Sequence, residues 1–352
     1  MKKFLLAVLA IALLGLAGAG VFLYIVLWAP IVPEKPAHDH FIIHRGMNVT
    51  QIADSLYAQS FIQDRKKFLL AARMSRWQNQ LKAGKYRMLA RDSNLEMLKR
   101  FRAGKSVQER ITLPEGKTAE TFAALFHRIV AVDSSEFLHL AQDSIFAAEL
   151  GIQAGRVEGY LFPNTYDFYW GTSSREIIAA LVAEFRRQVS DSLRAQAAER
   201  GMTLHEIVTL ASIIEGEAMV EDERPIIAAV YHNRLRAGIL LQADPTIQYL
   251  VPGPPRRLLL RDLEIDSPYN TYRYAGLPPG PVNNPGLASI RAALEPARVD
   301  YLYFVARGDG THIFSRTLAE HLQAKRAFDR VRAQYRREKK AAEKLQTRSE
   351  EN

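Results

Sequence analysis

The chain has 352 residues, 48% of them hydrophobic and 24% charged, with a formal net charge of +9 and no cysteine. That length admits a membrane segment and two modest domains. The lack of cysteine excludes a disulfide framework, a zinc–cysteine site, a thiol nucleophile and lipid attachment at Cys.

The run from Phe4 to Trp28 contains no charged residue. About 25 apolar residues are enough to span a bilayer with some tilt. Lys2 and Lys3 put the N-terminus in the cytoplasm by the positive-inside rule. The run continues well past the small residues Ala17-Gly18-Ala19, longer than the apolar core of a cleaved signal, so residues 1–28 read as a retained anchor. Residues 29–40 are Pro-rich and aperiodic and read as a short stiff linker.

Residues 41–110 read as a small α+β module. A strand and turn over Phe41–Gly46 precede a helix capped by Asn48 or Thr50, with Ile52, Ala53 and Leu56 on its apolar face. A second strand is expected over 83–89 (AGKYRML) and a second helix over Asn94–Phe101. Residues Ile111–Gly116, followed by Thr118 as N-cap and Phe122, Ala123 and Phe126 as a face, repeat the strand–Gly–helix order. Chance similarity accounts for this as well as duplication does, because such units are common. Helix is expected over 118–150 and again over 174–200. Between them lies EGYLFPNTYDFYW (158–170), where Pro163 argues against a continuous helix or a central strand. Its aromatics suit either sugar stacking or a core.

The stretch Leu204–Arg224 organises the rest. Leu204, Ile207, Val208, Ala211, Ile214 and Ala218 recur at helical spacing and make one apolar stripe. Glu215 and Glu217 flank that stripe on opposite sides. Glu217 falls beside Leu210 and Ile213, at the edge between core and surface, where partial desolvation raises a carboxyl's pKa. A general acid working near neutral pH needs that shift. The alternative is an ordinary solvated helix end. Further helices are expected over Pro225–Leu235 and Leu287–Leu294. The Pro-, Gly- and Asn-rich stretch 267–286 reads as a structured loop, because tyrosines argue against disorder. Strands over 301–308 and 311–314 flank the turn Asp309-Gly310. A charged helix runs from Thr317. From Lys325 onward there are ten Lys/Arg and five Asp/Glu without a nucleic-acid motif, so residues 323–352 read as a solvated basic tail with a frayed end.

Six phrases in order carry a family resemblance: AGKYRM (83–88), EGYLFPNTY (158–166), LASIIEGEA (210–218), LQADPTIQY (241–249), SPYNTYRYAGLPPGPVNNPG (267–286) and YLYFVARGDGTHIFSRTLAEH (301–321). The chain resembles the endolytic murein transglycosylases, membrane-anchored lyases that cut nascent peptidoglycan strands. The resemblance implies an α+β fold: an N-terminal transmembrane helix, a LysM-like module over 41–110, and a mixed α/β catalytic domain over 111–322 with a central acidic-ended helix. It implies an inner-membrane protein with a periplasmic catalytic domain, murein glycan strands as substrate and peptidoglycan synthases as partners. It implies no nucleic acid. The second Glu of the family's Glu-X-Glu is its catalytic acid, which falls on Glu217. Gly216 departs from the family, whose members often carry Lys there. It leaves both acids in place but loosens the helix.

One carboxyl suffices for lytic cleavage, because the C6 hydroxyl of the same sugar is the tethered nucleophile and no water is added. Glu217 would protonate the leaving oxygen and then take the hydroxyl proton. Glu215, Gln242, Asp244, Asn270, Tyr272 and His312 stand in the matching phrases as candidate substrate-binding residues, with loop or strand structure as the alternative for each. No His/Asp/Glu set has metal-ligand spacing, so neither metal nor cofactor is expected. Competing readings are a non-catalytic peptidoglycan-binding scaffold, a two-carboxylate hydrolase with Glu215 or Asp244 as the second acid, and a polyanion binder using the tail.

Overall fold

A computed structural model describes residues 2–36, 38–104 and 106–330. The chain divides into two compact units. The first comprises the chain up to Ile111 together with Phe126–Val132 and Tyr166–Ser173. The second comprises Thr112–Leu125, Asp133–Thr165 and the chain from Ser174 onward.

The first unit opens with helix α1 (Lys2–Leu27). Lys3–Leu27 has a mean hydropathy of 2.6 and an exposed surface, long and apolar enough to cross a membrane. Its last turn is tied down: Val26 is buried, and its carbonyl accepts from the buried Asn94 amide at 2.8 Å. The segment expected as a free linker is docked at its start. Ile31 and Val32 N–H groups donate to the Asp92 carbonyl at 2.9 and 3.2 Å, and Val32 is buried. Strand β1 (His40–Ile43), helices α2 (Val49–Ala58) and α3 (Arg65–Met74), strand β2 (Gly84–Arg87) and helix α4 (Asn94–Ala103) follow. β1 and β2 are antiparallel, with Phe41 opposite Tyr86 and Ile43 opposite Gly84. Asn48 with Gln51 and Ser93 with Glu96 form capping boxes at α2 and α4, and Asp64 caps α3. Phe41, Phe61, Phe68, Tyr86 and Phe101 fill the core. Tyr86 and Phe101 are 4.9 Å apart and Phe41 meets Phe61 edge-on at 5.7 Å. Strands β3 (Gln108–Thr112) and β4 (Thr165–Tyr169) pair, and Arg110 meets Asp167 at 3.0 Å. The second half of the aromatic segment is therefore a strand in a two-stranded ribbon, compatible with Pro163 lying outside it.

The helices expected over 118–150 and 174–200 are interrupted. α5 (Ala119–Val130), α6 (Ser134–Gln142) and α7 (Ser144–Glu149) replace the first. Asp133 and Asp143 accept N–H bonds as N-caps of α6 and α7, and these side-chain bonds compete with continued helix. α8 (Ser174–Gln188) and α9 (Asp191–Glu199) break at Val189-Ser190. The remaining elements are α10 (Leu204–Glu217), α11 (Arg224–Ala237), α12 (Asp244–Leu250), α13 (Leu287–Leu294) and the hairpin β5 (Tyr303–Ala306) and β6 (His312–Ser315). Residues 318–330 are helical. The fraying expected at the end of the basic tail falls on 331–352, outside the described residues.

α10 is the axis of the second unit, packed by α9, α11, α12 and α13. Thr203 and Glu206 form its capping box. Every residue from Ile207 to Ile214 is buried, so the helix middle is enclosed on all sides and not along a single stripe. Its polar members are satisfied locally: the Thr209 hydroxyl donates to the His205 carbonyl at 2.8 Å and that of Ser212 to the Thr209 carbonyl at 2.7 Å. Tyr160 and Phe162 are buried in the same unit, which resolves them as core residues.

The loop 267–286 is held by buried side chains, chiefly Asn284. Its carbonyl oxygen accepts from the Gly159 and Leu161 N–H groups at 2.8 and 3.0 Å, and its amide nitrogen donates to the Lys117 carbonyl at 3.0 Å and to Glu158 at 2.6 Å. Burial pushes the Glu158 carboxyl up to about 8, against the Ala119 N–H and Asn284 bonds that oppose the shift. Asn284→Ala strands these groups in a dry interior. It should cost about 3 kcal/mol, read as a lowered urea midpoint at unchanged slope, whereas a change at an exposed position such as Ser192→Ala on α9 should not move the midpoint.

Candidate active site

Glu217 closes α10. It is partly buried, and the groups that face it come from α11 and α12. The Tyr231 hydroxyl donates to Glu217 Oε1 at 3.1 Å. Burial pushes the Glu217 carboxyl up to about 7. The Asp244 carboxylate adds to that rise, while the Tyr231 hydroxyl, the Asp244 backbone N–H and the Arg234 charge oppose it. The raised acid expected at this position is present, and its named neighbours are those of the flanking helices.

Gly216 explains how α12 comes so close. A Cβ there would stand 2.5 Å from Pro245 Cγ and 2.6 Å from its Cβ. The glycine therefore does more than loosen the helix end. It lets the first turn of α12 lie against the last turn of α10 and bring Asp244 to Glu217.

Asp244 is exposed at the start of α12 and accepts from the Tyr272 hydroxyl at 2.5 Å. Burial and the Asp244 bond both raise the Tyr272 pKa, so the phenol remains a donor. Gln242, two residues earlier, is exposed and sits in left-handed backbone at φ +50°, held by its N–H bond to the Thr271 carbonyl at 3.0 Å. Glu217, Asp244 and Tyr272 are thus grouped around one end of α10, with Gln242 two residues before Asp244 in the chain.

The other three predicted residues are built into the scaffold. Both Glu215 oxygens are engaged: Arg224 Nη2 at 3.1 Å on one, the Ser289 hydroxyl at 2.7 Å and the Gly286 N–H at 3.1 Å on the other. Its side chain is 6% exposed. Asn270 is fully buried, donates to the Leu263 and Ile265 carbonyls at 2.9 and 2.7 Å, and accepts from the Tyr272 N–H at 2.9 Å. His312 Nδ1 and backbone N–H meet the two Glu223 oxygens at 2.7 and 2.9 Å, joining β6 to the segment before α11.

Sequence reasoning missed Tyr231 and Arg234. Arg234 is buried and donates to the Leu302, Leu240 and Leu241 carbonyls at 2.6 to 3.1 Å, with its guanidinium 5.1 Å from the centre of the Tyr303 ring. The signal was present: Tyr231 and Arg234 follow Ile227 at i+4 and i+7, placing two polar groups on a buried stripe. A separate cleft of about 1230 Å³, lined by His205, Glu206, His232, Arg236 and Arg298 among others, includes none of the groups that face Glu217.

A helix-end carboxyl raised toward neutrality, oriented by a phenol and flanked by a second carboxylate, is the equipment of an acid–base enzyme. The model of the YceG-like family matches residues 41–327, and the chain belongs to that family. It is 32% identical over 328 residues to a Bacillus subtilis protein named endolytic murein transglycosylase, covering 88% of this chain and 90% of that one. A protein of the same name from Streptococcus pneumoniae D39 is 27% identical over 366 residues, covering 92% of this chain and 66% of the longer relative. The crystal structure of a yceG-like protein from Listeria monocytogenes superposes with a TM-score of 0.58 at 31% identity, covering 81% of this chain and 98% of that one.

Glu215 and Glu217 separate by their failure modes. Glu215→Ala leaves the 13%-exposed Arg224 side chain without its main partner. It should cost about 3–5 kcal/mol of stability. The fraction that folds should cleave at close to the parent rate, measured as turnover normalised to folded protein; a folded but inactive variant would move Glu215 into the chemistry.

Proposed function

We propose that Glu217 performs both proton transfers in the lytic cleavage of murein glycan strands. The chain is a lyase of the lytic transglycosylase type, as its membership of the family and its 32%-identical relative indicate. The observation that carries the residue assignment is the Glu217 carboxyl itself, pushed to about 7 and held by Tyr231. Its proton passes to the glycosidic oxygen as the bond from C1 of N-acetylmuramic acid breaks. The resulting carboxylate takes the proton of the C6 hydroxyl as O6 bonds to C1. The products are a free hydroxyl on the leaving sugar and a 1,6-anhydro end, with no water consumed. Tyr231 orients the carboxyl, and Arg234 stabilises the anion formed between the two transfers.

In this reading Asp244, Tyr272 and Gln242 hydrogen-bond the sugar, and Asp244 stabilises positive charge developing at C1; the exposure of Asp244 and Gln242 and the Tyr272–Asp244 bond support it. Asn270 holds Tyr272 through the Tyr272 N–H bond, while Glu215 and His312 brace the scaffold through Arg224 and Glu223. The β1–α2–α3–β2 order supports reading residues 41–110 as a LysM-like glycan-holding module ahead of a catalytic domain over 111–322. Helix α1 supports a single-pass anchor, which with Lys2 and Lys3 is read as N-terminus cytoplasmic and catalytic domain on the far side of the inner membrane; peptidoglycan synthases as neighbours rest on the family resemblance alone. The carboxylate of Asp244 beside Glu217 also favours a second reading, a two-carboxylate hydrolase. Product mass separates them, because an anhydro end is one water lighter than a reducing end.

Glu217→Gln keeps the shape and cannot exchange the proton. Cleavage of purified glycan strands should fall by about 10² or more while strand binding persists. Anhydro products at the parent rate would show that another group is the acid. The same variant has a stability signature. Glu217 stands above its unfolded value, so burial of its anion costs stability as pH rises from about 4.5 to about 7 and the cost is constant above that. Below both values the cost vanishes. Glu217→Gln should therefore be more stable than the parent by about 1–3 kcal/mol at pH 8 and level with it at pH 4.

Asp244→Asn tests the electrostatic coupling. General acid catalysis requires protonated Glu217 and is lost as pH rises through its pKa. Removing the Asp244 charge lowers that pKa, so the alkaline limb of kcat/KM should move to lower pH. An unmoved limb would show that the limb belongs to another group.

A further inference from the structure

The loop after α12 carries three consecutive leucines, Leu258–Leu260, among Arg256, Arg257 and Arg261, with Asp262 as the one acid in residues 252–263. Leu259 is 45% exposed and Leu260 82%. The loop is clamped at both ends. Asp262, buried, accepts from Arg256 Nη1 at 2.8 Å, Arg256 Nη2 at 2.9 Å and the Leu259 N–H at 2.7 Å. The Gln248 amide on α12 donates to the Arg256 carbonyl. Arg257 and Arg261 are exposed. The clamp therefore holds two adjacent apolar side chains in water, at a hydration cost that the fold does not recover.

An apolar tip ringed by arginines matches the boundary of a bilayer, where alkyl side chains enter the acyl region and guanidinium groups meet lipid phosphates. Charge complementarity favours anionic lipid over a protein surface of mixed charge. The chain's own α1 is long and apolar enough to bring it to a bilayer. We propose that loop 256–261 is a second membrane contact, with Leu259 and Leu260 entering the acyl boundary and Arg257 and Arg261 binding anionic headgroups. A chain held at two places keeps its catalytic groups at the lipid surface. The inference rests on the anchor reading of α1 and is independent of the roles assigned to Glu217.

The absence of cysteine makes the test direct. Leu260→Cys in the full chain takes an environment-sensitive fluorophore at one position, and Ile145→Cys, on α7 and 72% exposed, serves as reference. Both are reconstituted in vesicles of phosphatidylglycerol and phosphatidylethanolamine. The label at 260 should shift to the blue and be quenched by brominated lipid, and the label at 145 should do neither. Quenching should weaken when phosphatidylcholine replaces phosphatidylglycerol; equal quenching overturns the headgroup contact. A chain that floats with the vesicles while the label at 260 remains water-like overturns the proposal and leaves the anchor standing. A blue shift without lipid quenching also overturns it, since protein then covers the leucines. A chain that does not float overturns both readings. Leu259→Asp with Leu260→Asp should abolish protection of Arg257 from trypsin on vesicles while cleavage of soluble glycan strands is unchanged.

Discussion

A proline ring occupies the place where a side chain at position 216 would stand. The contact between Gly216 and Pro245 decides how near the start of α12 comes to the end of α10, and so how near Asp244 comes to Glu217. Packing here sets electrostatics. Close approach removes water from one side of Glu217 and brings a like charge to it, and both effects favour the protonated acid. A side chain at 216 would force a shift that a rigid pyrrolidine ring cannot absorb by changing rotamer.

The same cluster limits how far the shift can go. Arg234 is fixed by three carbonyl oxygens and the Tyr303 ring, so its charge cannot swing away when Glu217 ionises. Burial first and Asp244 second disfavour the anion, the Tyr231 hydroxyl, the Asp244 N–H and Arg234 favour it, and the carboxyl comes to rest at about 7. A group that must give a proton and take one back within a single turnover needs this intermediate position, because a strongly biased acid performs one half of the reaction well and the other poorly.

Much of this was legible in the sequence, and the limits are physical. α10 opens with a capping box, α11 has Pro225 in its first turn and Gly238 after its last, α13 carries a helical apolar pattern, and the hairpin carries an Asp-Gly turn, so their positions follow from local pattern. α3 was missed because RKKFLLAARM offers only Phe68, Ala71 and Ala72 as a face within charged residues. The breaks at Asp133 and Asp143 were missed because an Asp inside an apolar pattern reads equally as a surface residue or as a cap. Glu217 could be singled out from its place on the wheel. Asp244 stood among the candidates through its phrase, whereas the contacts of Tyr231 and Arg234 with Glu217 arise only through tertiary packing, though both lie on a buried stripe of α11. Asn270 and His312 stood in the right phrases, yet each spends its hydrogen bonds on loop carbonyls or on Glu223.

Burial alone does not make a catalytic acid, as a third glutamate shows. Glu158 is also raised, to about 8, and is 5% exposed. Its oxygens are taken by the Ala119 N–H and the Asn284 amide, inside the core that carries loop 267–286. No substrate reaches it, so its proton serves only the fold. Glu215 is buried as an ion-pair partner of Arg224, and its role is likewise structural. Glu217 differs from both in its partners: it has no ion-pair clamp like that of Glu215, and it faces the exposed Asp244 and the Tyr231 hydroxyl at the helix end. Among these three glutamates, Glu217 is the one whose raised carboxyl has both Asp244 and the Tyr231 hydroxyl beside it, because position 216 carries no side chain and the end of another helix fills that space.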